Sequence, residues 1–129
     1  MIKRFLDWIG LKERLHFNTY PPPWVNEREL WWISFGENIG SEINGKSTLF
    51  SRPGIILKKL SKGFYLVAPT TSQPRDGLWY VKIRQNNKDV RVCLNQIRTV
   101  DYKRFSNKLG VVDENDFKNI KYAFWTLYK

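Results

Sequence analysis

The chain has 129 residues, the length of one ordinary domain, and 42% of them are apolar, enough for a core without disulfides or metals. Its formal net charge is +10 with a pI near 9.9, and its lone cysteine, Cys93, excludes an internal disulfide framework. No uninterrupted apolar run approaches the ~18 to 20 residues of a membrane helix, and Asp7, Lys12, Glu13 and Arg14 break the stretch a signal peptide would keep uncharged. These features imply a soluble cytoplasmic protein with no membrane span, a reducing compartment and a polyanionic partner, which charge alone leaves open as nucleic acid, anionic lipid or acidic protein.

Residues 1 to 18 carry Ile2, Phe5, Leu6, Ile9 and Leu15 at helical spacing with Lys and Arg between them. Pro21-Pro22-Pro23 then forces an extended connection. Residues 1–28 are therefore expected to be a helical arm and Pro-rich joint, and residues 29–129 the main domain. From Glu29 the grammar is that of strands. Leu30 to Phe35 is aromatic and closed by Gly36, Gly54 to Leu57 follows Arg52-Pro53, and Phe64 to Ala68 follows a Ser-Lys-Gly turn. Leu78 to Ile83 follows Asp76-Gly77, and Val90, Val92 and Leu94 alternate with polar positions. Five short strands at close spacing predict a small barrel or curled sheet. The last element is a helix, with Asp113 as cap and Phe117, Ile120, Phe124 and Leu127 along one apolar face that packs on the sheet.

Residues 40–47, Gly-Ser-Glu-Ile-Asn-Gly-Lys-Ser, fit the P-loop pattern letter for letter. That chemistry needs a helix beginning at the Lys, so that N-terminal amides face phosphate. Pro53 follows six residues after Ser47, and the sequence beyond it reads as strand. A Gly-rich loop between strands is the better reading.

His16 is the only histidine and lies in the arm, which excludes a two-histidine ribonuclease mechanism. One His and one Cys far apart give no support for zinc, and no cofactor or metal is expected. A Cys-His nucleophile pair has no surrounding signature, and Cys93 sits in a strand pattern. RNA cleavage needs no protein nucleophile, because the substrate's 2′-hydroxyl attacks the neighbouring phosphate. The protein must then supply alignment, proton transfer and positive charge, and one well-placed donor contributes ~3 to 4 kcal/mol. Arg52, held beside Pro53, and the hydroxyl and amide cluster Thr70-Thr71-Ser72-Gln73 are candidates, with Asn95, Gln96 and Arg98 late in another strand.

Taken in order, these segments resemble the MazF/PemK family of toxin endoribonucleases. The matching stretches are residues 31–42 (Trp-Trp-Ile-Ser-Phe-Gly-Glu-Asn-Ile-Gly-Ser-Glu) and 52–57 (Arg-Pro-Gly-Ile-Ile-Leu). Residues 67–73 and 94–101, Lys103-Arg104 and the helix after Leu109-Gly110 complete the order. The resemblance implies a mainly β (α+β) fold, an SH3-like small barrel of the CcdB/PemK type with a C-terminal helix. It also implies a homodimer that cuts single-stranded RNA without metal, and an antitoxin whose acidic tail occupies the RNA groove. Carried onto this chain, Arg52 stabilises the phosphorane and Thr71 hydrogen-bonds the scissile phosphate. Glu42, Ser72, Gln73, Asn95 and Gln96 contact or select RNA. Two departures stand out: Cys93 and Asn95 occupy positions where some PemK-branch members place an Arg and an Asp, and residues 46–51 lengthen the loop before Arg52. Two other readings share the architecture: a CcdB-like poison that binds DNA gyrase without catalysis, and a catalytically dead RNA-binding barrel.

Overall fold

The structure, a computed structural model, describes residues 4–129. Helix α1 (Phe5–His16) opens the described chain, and Ile2, which shares its apolar spacing, lies outside the described residues. Seven strands follow: β1 (Glu29–Ser34), β2 (Ser51–Ser61), β3 (Phe64–Thr71), β4 (Tyr80–Gln85), β5 (Lys88–Cys93), β6 (Arg98–Asp101) and β7 (Phe105–Val111). Helix α2 (Glu114–Leu127) ends the order.

All strand pairs are antiparallel, and the sheet runs β4-β5-β3-β2-β1-β7, with β6 also paired to β3. The path does not close, because no pairing joins β4 to β7. The mainly β domain with appended helices is therefore as expected, built on an open sheet rather than a sealed barrel.

Two of the seven strands were not among the five expected. Thr70 and Thr71 of β3 pair with β5, while Phe64 to Val67 pair with β6, so β5 and β6 share one edge of β3. Between them a 3-10 turn, Leu94–Gln96, interrupts the pairing. Asn95 and Gln96 are therefore on a turn and not late in a strand. The other unexpected strand, β7, lies at the sheet edge with Ser106, Asn107 and Lys108 exposed, which is why no alternation betrays it.

The central strands are buried on both faces. On one side Leu30, Ile55, Leu57 and Ala68 pack with Phe117 and Ile120 of α2. On the other, Trp31, Ile33, Ile56, Tyr65 and Val67 pack with Phe35 and Val100. Ile55-Ile56-Leu57 therefore reads as an unbroken apolar run, as a strand covered on both faces must. Asp113 caps α2, its carboxylate accepting the Asn115 and Asp116 amides at 3.0 and 3.4 Å. A third, small cluster of Trp8, Leu11 and Phe50 docks α1 on the loop before β2.

Candidate functional site

The register of β2 and β3 decides where Arg52 and Thr71 lie. Gly54 pairs with Pro69, and Arg52 stands two residues before Gly54 while Thr71 stands two beyond Pro69. Both thus fall at the same end of the pair. Pro53 donates no backbone hydrogen bond, yet β2 passes through it. The Arg52 guanidinium is fixed from two directions: Nε donates to the Asn44 carbonyl at 2.7 Å and Nη1 to the Thr70 carbonyl at 3.3 Å. Burial is the largest influence on it and lowers its pKa, and Arg75 acts in the same direction. Thr71 is 7% exposed, and its hydroxyl accepts the Gln73 amide at 3.2 Å.

Both residues line a cleft of about 480 Å³ together with Gln73, Asn95 and Gln96. Its wall also includes Lys46, Arg75, Tyr80 and Cys93 but no carboxylate and no histidine. The charged side chains on this wall are thus all cationic: Lys46, Arg52 and Arg75. Glu42 lies outside it, in an adjoining cleft of about 410 Å³ that shares Ile43, Asn95 and Gln96 and adds Arg98. Ser72 faces a third cleft, of about 350 Å³, which Arg52 and Thr71 also border. The arginine and threonine thus stand at the divide between two grooves.

Gln96 has a second task that its sequence position does not reveal. Its side-chain oxygen accepts the Ile43 amide at 3.0 Å, and its side-chain nitrogen donates to the Ser41 carbonyl at 3.0 Å. Both ends of the amide are thereby committed to holding the loop between β1 and β2. Glu42 likewise serves its own turn, accepting the Ile39 amide at 2.9 Å. No helix follows Lys46 in that loop; Lys46 forms an isolated antiparallel bridge with Ser51, and the P-loop match has no structural counterpart.

Cys93 is 3% exposed, and burial raises its thiol pKa although Arg52 and Arg75 pull the other way. A raised pKa favours the thiol over the thiolate, which disfavours it as a nucleophile. Two further arginines are half-buried beside the loop. Arg98 donates to the Phe35 carbonyl at 3.4 Å and Arg104 to the Ser34 carbonyl at 3.0 Å. Burial lowers both, and the neighbouring Arg98 helps bring Arg104 down to about 10 against the pull of Asp101. Among the described residues, none of Arg52, Arg98 and Arg104 is in an ion pair. The site is thus rich in positive charge held by carbonyls.

Sequence reasoning missed Arg75 and Tyr80, and met Lys46 only as the lysine of the rejected P-loop match. Arg75 lies in a loop, where one more arginine in a chain of charge +10 carries no local signal, and Tyr80 is the first residue of its strand. Among the described residues, no group of three His, Cys, Asp or Glu side chains could hold a metal ion, and no helix is long and apolar enough to cross a membrane.

The fold recurs in solved toxin structures. MazF from Deinococcus radiodurans is 20% identical with a TM-score of 0.66, and the match covers 81% of this chain and 97% of that one. A MazE–MazF complex from the same organism is 17% identical over 81% of this chain and 96% of that one, with a TM-score of 0.61. An endoribonuclease in complex with its cognate antitoxin, from Mycobacterial species, is 14% identical over 80% and 93% of the two chains, with a TM-score of 0.60. At these identities the likeness is one of fold. No curated protein sequence matches the chain. A family model described as PemK-like, MazF-like toxin of type II toxin-antitoxin system matches residues 26–127, which span all seven strands and α2 and leave α1 outside. By that match the chain belongs to the PemK-like, MazF-like toxins of type II toxin–antitoxin systems.

Proposed function

We propose that this toxin is an endoribonuclease acting on single-stranded RNA, with residues 29–129 as the catalytic domain. The observation that carries the reading is the convergence of Arg52 and Thr71 in a cleft lined by Lys46 and Arg75 and free of carboxylates. In the reaction the 2′-oxygen of the substrate bonds to the adjacent phosphorus and loses its proton to solvent. The bond from phosphorus to the 5′-oxygen breaks, and that oxygen takes up a proton. The products are a 2′,3′-cyclic phosphate and a 5′-hydroxyl. Arg52 faces the pentavalent phosphorane with a guanidinium already oriented by two carbonyls, so little reorganisation accompanies the charge build-up. As the family resemblance implies, Arg52 also supplies the proton to the leaving oxygen. Thr71 donates its hydroxyl to a non-bridging oxygen while accepting from Gln73. Gln73, Asn95, Ser72 and Glu42 border the grooves on either side and offer amide, hydroxyl and carboxylate groups to unstacked bases.

The Mycobacterial endoribonuclease is seen with its cognate antitoxin and the Deinococcus radiodurans MazF with MazE, and an acidic tail is the partner chemistry suited to this cleft. A homodimer completes the proposal. The test is incubation of the purified chain with a long single-stranded RNA in EDTA, beside Arg52→Ala, with the ends mapped. Discrete cuts that leave 2′,3′-cyclic phosphate and vanish in the variant are expected. Intact RNA from folded wild-type protein would overturn the reading.

A further inference from the structure

The loop between β1 and β2, residues 35–50, supplies Ser41, Ile43 and Lys46 to the cleft and the Asn44 carbonyl to Arg52. It is held from two sides. On the sheet side stand Gln96 and Arg52 itself. On the other stands α1, which the family match does not include.

The contact between α1 and the loop is closely fitted. The Trp8 indole lies against Gly36, whose backbone has φ +92°; a Cβ there would meet the indole at 2.4 Å. Trp8 also packs on Phe50 with ring centroids 5.7 Å apart, and the two are 6% and 2% exposed. The Arg4 amide donates to the Glu37 carboxylate at the start of the loop. At its end the Arg4 guanidinium donates to the Ser47 carbonyl at 3.1 Å and lies 4.1 Å from the Phe50 ring centroid.

Phe50 and Ser47 have φ of 48° and 64°, a left-handed conformation that costs a residue with a Cβ roughly 1–2 kcal/mol. Burial of the Phe50 ring under Trp8 and Leu11 offsets that cost. Gly36 then carries the constraint inward, since its amide donates to the Phe50 carbonyl at 3.0 Å and its carbonyl accepts the Gly45 amide at 2.8 Å. Gly45 adjoins Asn44, the residue whose carbonyl holds Arg52 Nε.

We propose that Trp8 is a positioning residue for the cleft: α1 clamps the loop in the form that orients Arg52, so the arm is a working part of the site. The kinetic half of this proposal rests on the nuclease reading above; the structural half does not. Trp8→Ala and the conservative Trp8→Phe, both in the full chain, test it by amide hydrogen exchange and by cleavage kinetics on one RNA. In Trp8→Ala, exchange within residues 36–50 rises about tenfold or more while β3 and α2 keep their protection. The kcat falls about tenfold with KM unchanged, because a displaced loop misaligns Arg52 without removing the cations that bind RNA. Trp8→Phe restores both. Unchanged exchange in the loop overturns the proposal, as does an equal rise in β3 and α2, or a loosened loop with kcat intact. If the wild type cuts no RNA, the nuclease reading falls and the exchange pattern alone decides whether α1 clamps the loop.

Discussion

Helix α2 buries Phe117 and Ile120 in the cluster that holds Leu30, Ile55, Ala68 and Val92, whereas α1 buries Trp8 and Leu11 in a small cluster with Phe50, with Trp8 also against Gly36 and beneath Arg104. Their ends differ as well. The side chain of Asp113 caps α2, whereas α1 has no side-chain cap, and the amide of Arg4 just before it donates to Glu37 of the loop it covers. The outer residues of α1 remain in water, with Leu6 85% and Ile9 58% exposed. One helix is thus part of the fold's own core and the other is fastened to the site. This separates what keeps the chain folded from what keeps the cleft in shape, and the two are open to independent attack.

The largest expected effect lies on the side of the cleft. Arg52→Ala lowers single-turnover cleavage by about 10²- to 10³-fold, or about 3–4 kcal/mol, through loss of a preorganised donor to the phosphorane. Thermal unfolding of the variant stays close to wild type if chemistry and stability are indeed separate. On the side of α2, Ile120→Ala, at a site with no exposure, costs about 2–4 kcal/mol in denaturant unfolding. Its cleavage rate per folded molecule is unchanged; a lost rate would show that α2 also governs the cleft, for which Tyr128 donating to the Leu94 carbonyl at 2.5 Å is the route.

Between the two regions sits Glu29, which ties the joint after α1 to the sheet. Burial opposes its ionisation, but the Asn26 amide, the Trp31 indole at 3.0 Å and Lys108 at 3.1 Å outweigh it, and its pKa is lowered. A lowered folded pKa means stability that is present above the unfolded value of 4.5 and lost as pH falls through the folded one. Glu29→Gln is therefore destabilised by about 1–2 kcal/mol at pH 7, with the difference from wild type closing below pH 4.5. Urea unfolding at a series of pH values checks the sign. The smallest effect is at the cap: Asp113→Ala costs about 1 kcal/mol, read as a lower Tm with loop exchange unaltered. A change in exchange at residues 36–50 in that variant would blur the division between the helices.

Much of the fold is legible in the order of residues alone. Phe117, Ile120, Phe124 and Leu127 at helical spacing behind Asp113 leave little choice but a capped helix on a sheet, and the first five strands follow from their apolar runs and turn residues. Strand β6 escapes such a reading because it has four residues, and β7 because only its pairing with β1, not its pattern, makes it a strand. At the site, Arg52 and Thr71 stand out through the ordered resemblance of whole segments. Arg75 does not, since nothing in its neighbours distinguishes it from the other basic residues, and Lys46 stands out only through a P-loop match that points to the wrong chemistry.

The sequence by itself determined the β grammar, the terminal helix, the excess of positive charge and the failure of the P-loop motif at Pro53, because each depends on local sterics, spacing or composition. Only the tertiary structure decided that Gln96 spends its amide on the loop, that Glu42 and Ser72 face grooves other than the one shared by Arg52 and Gln73, and that Trp8 seats on Gly36. Those facts join residues tens of positions apart through register and packing, and no local preference along the chain encodes such a distance.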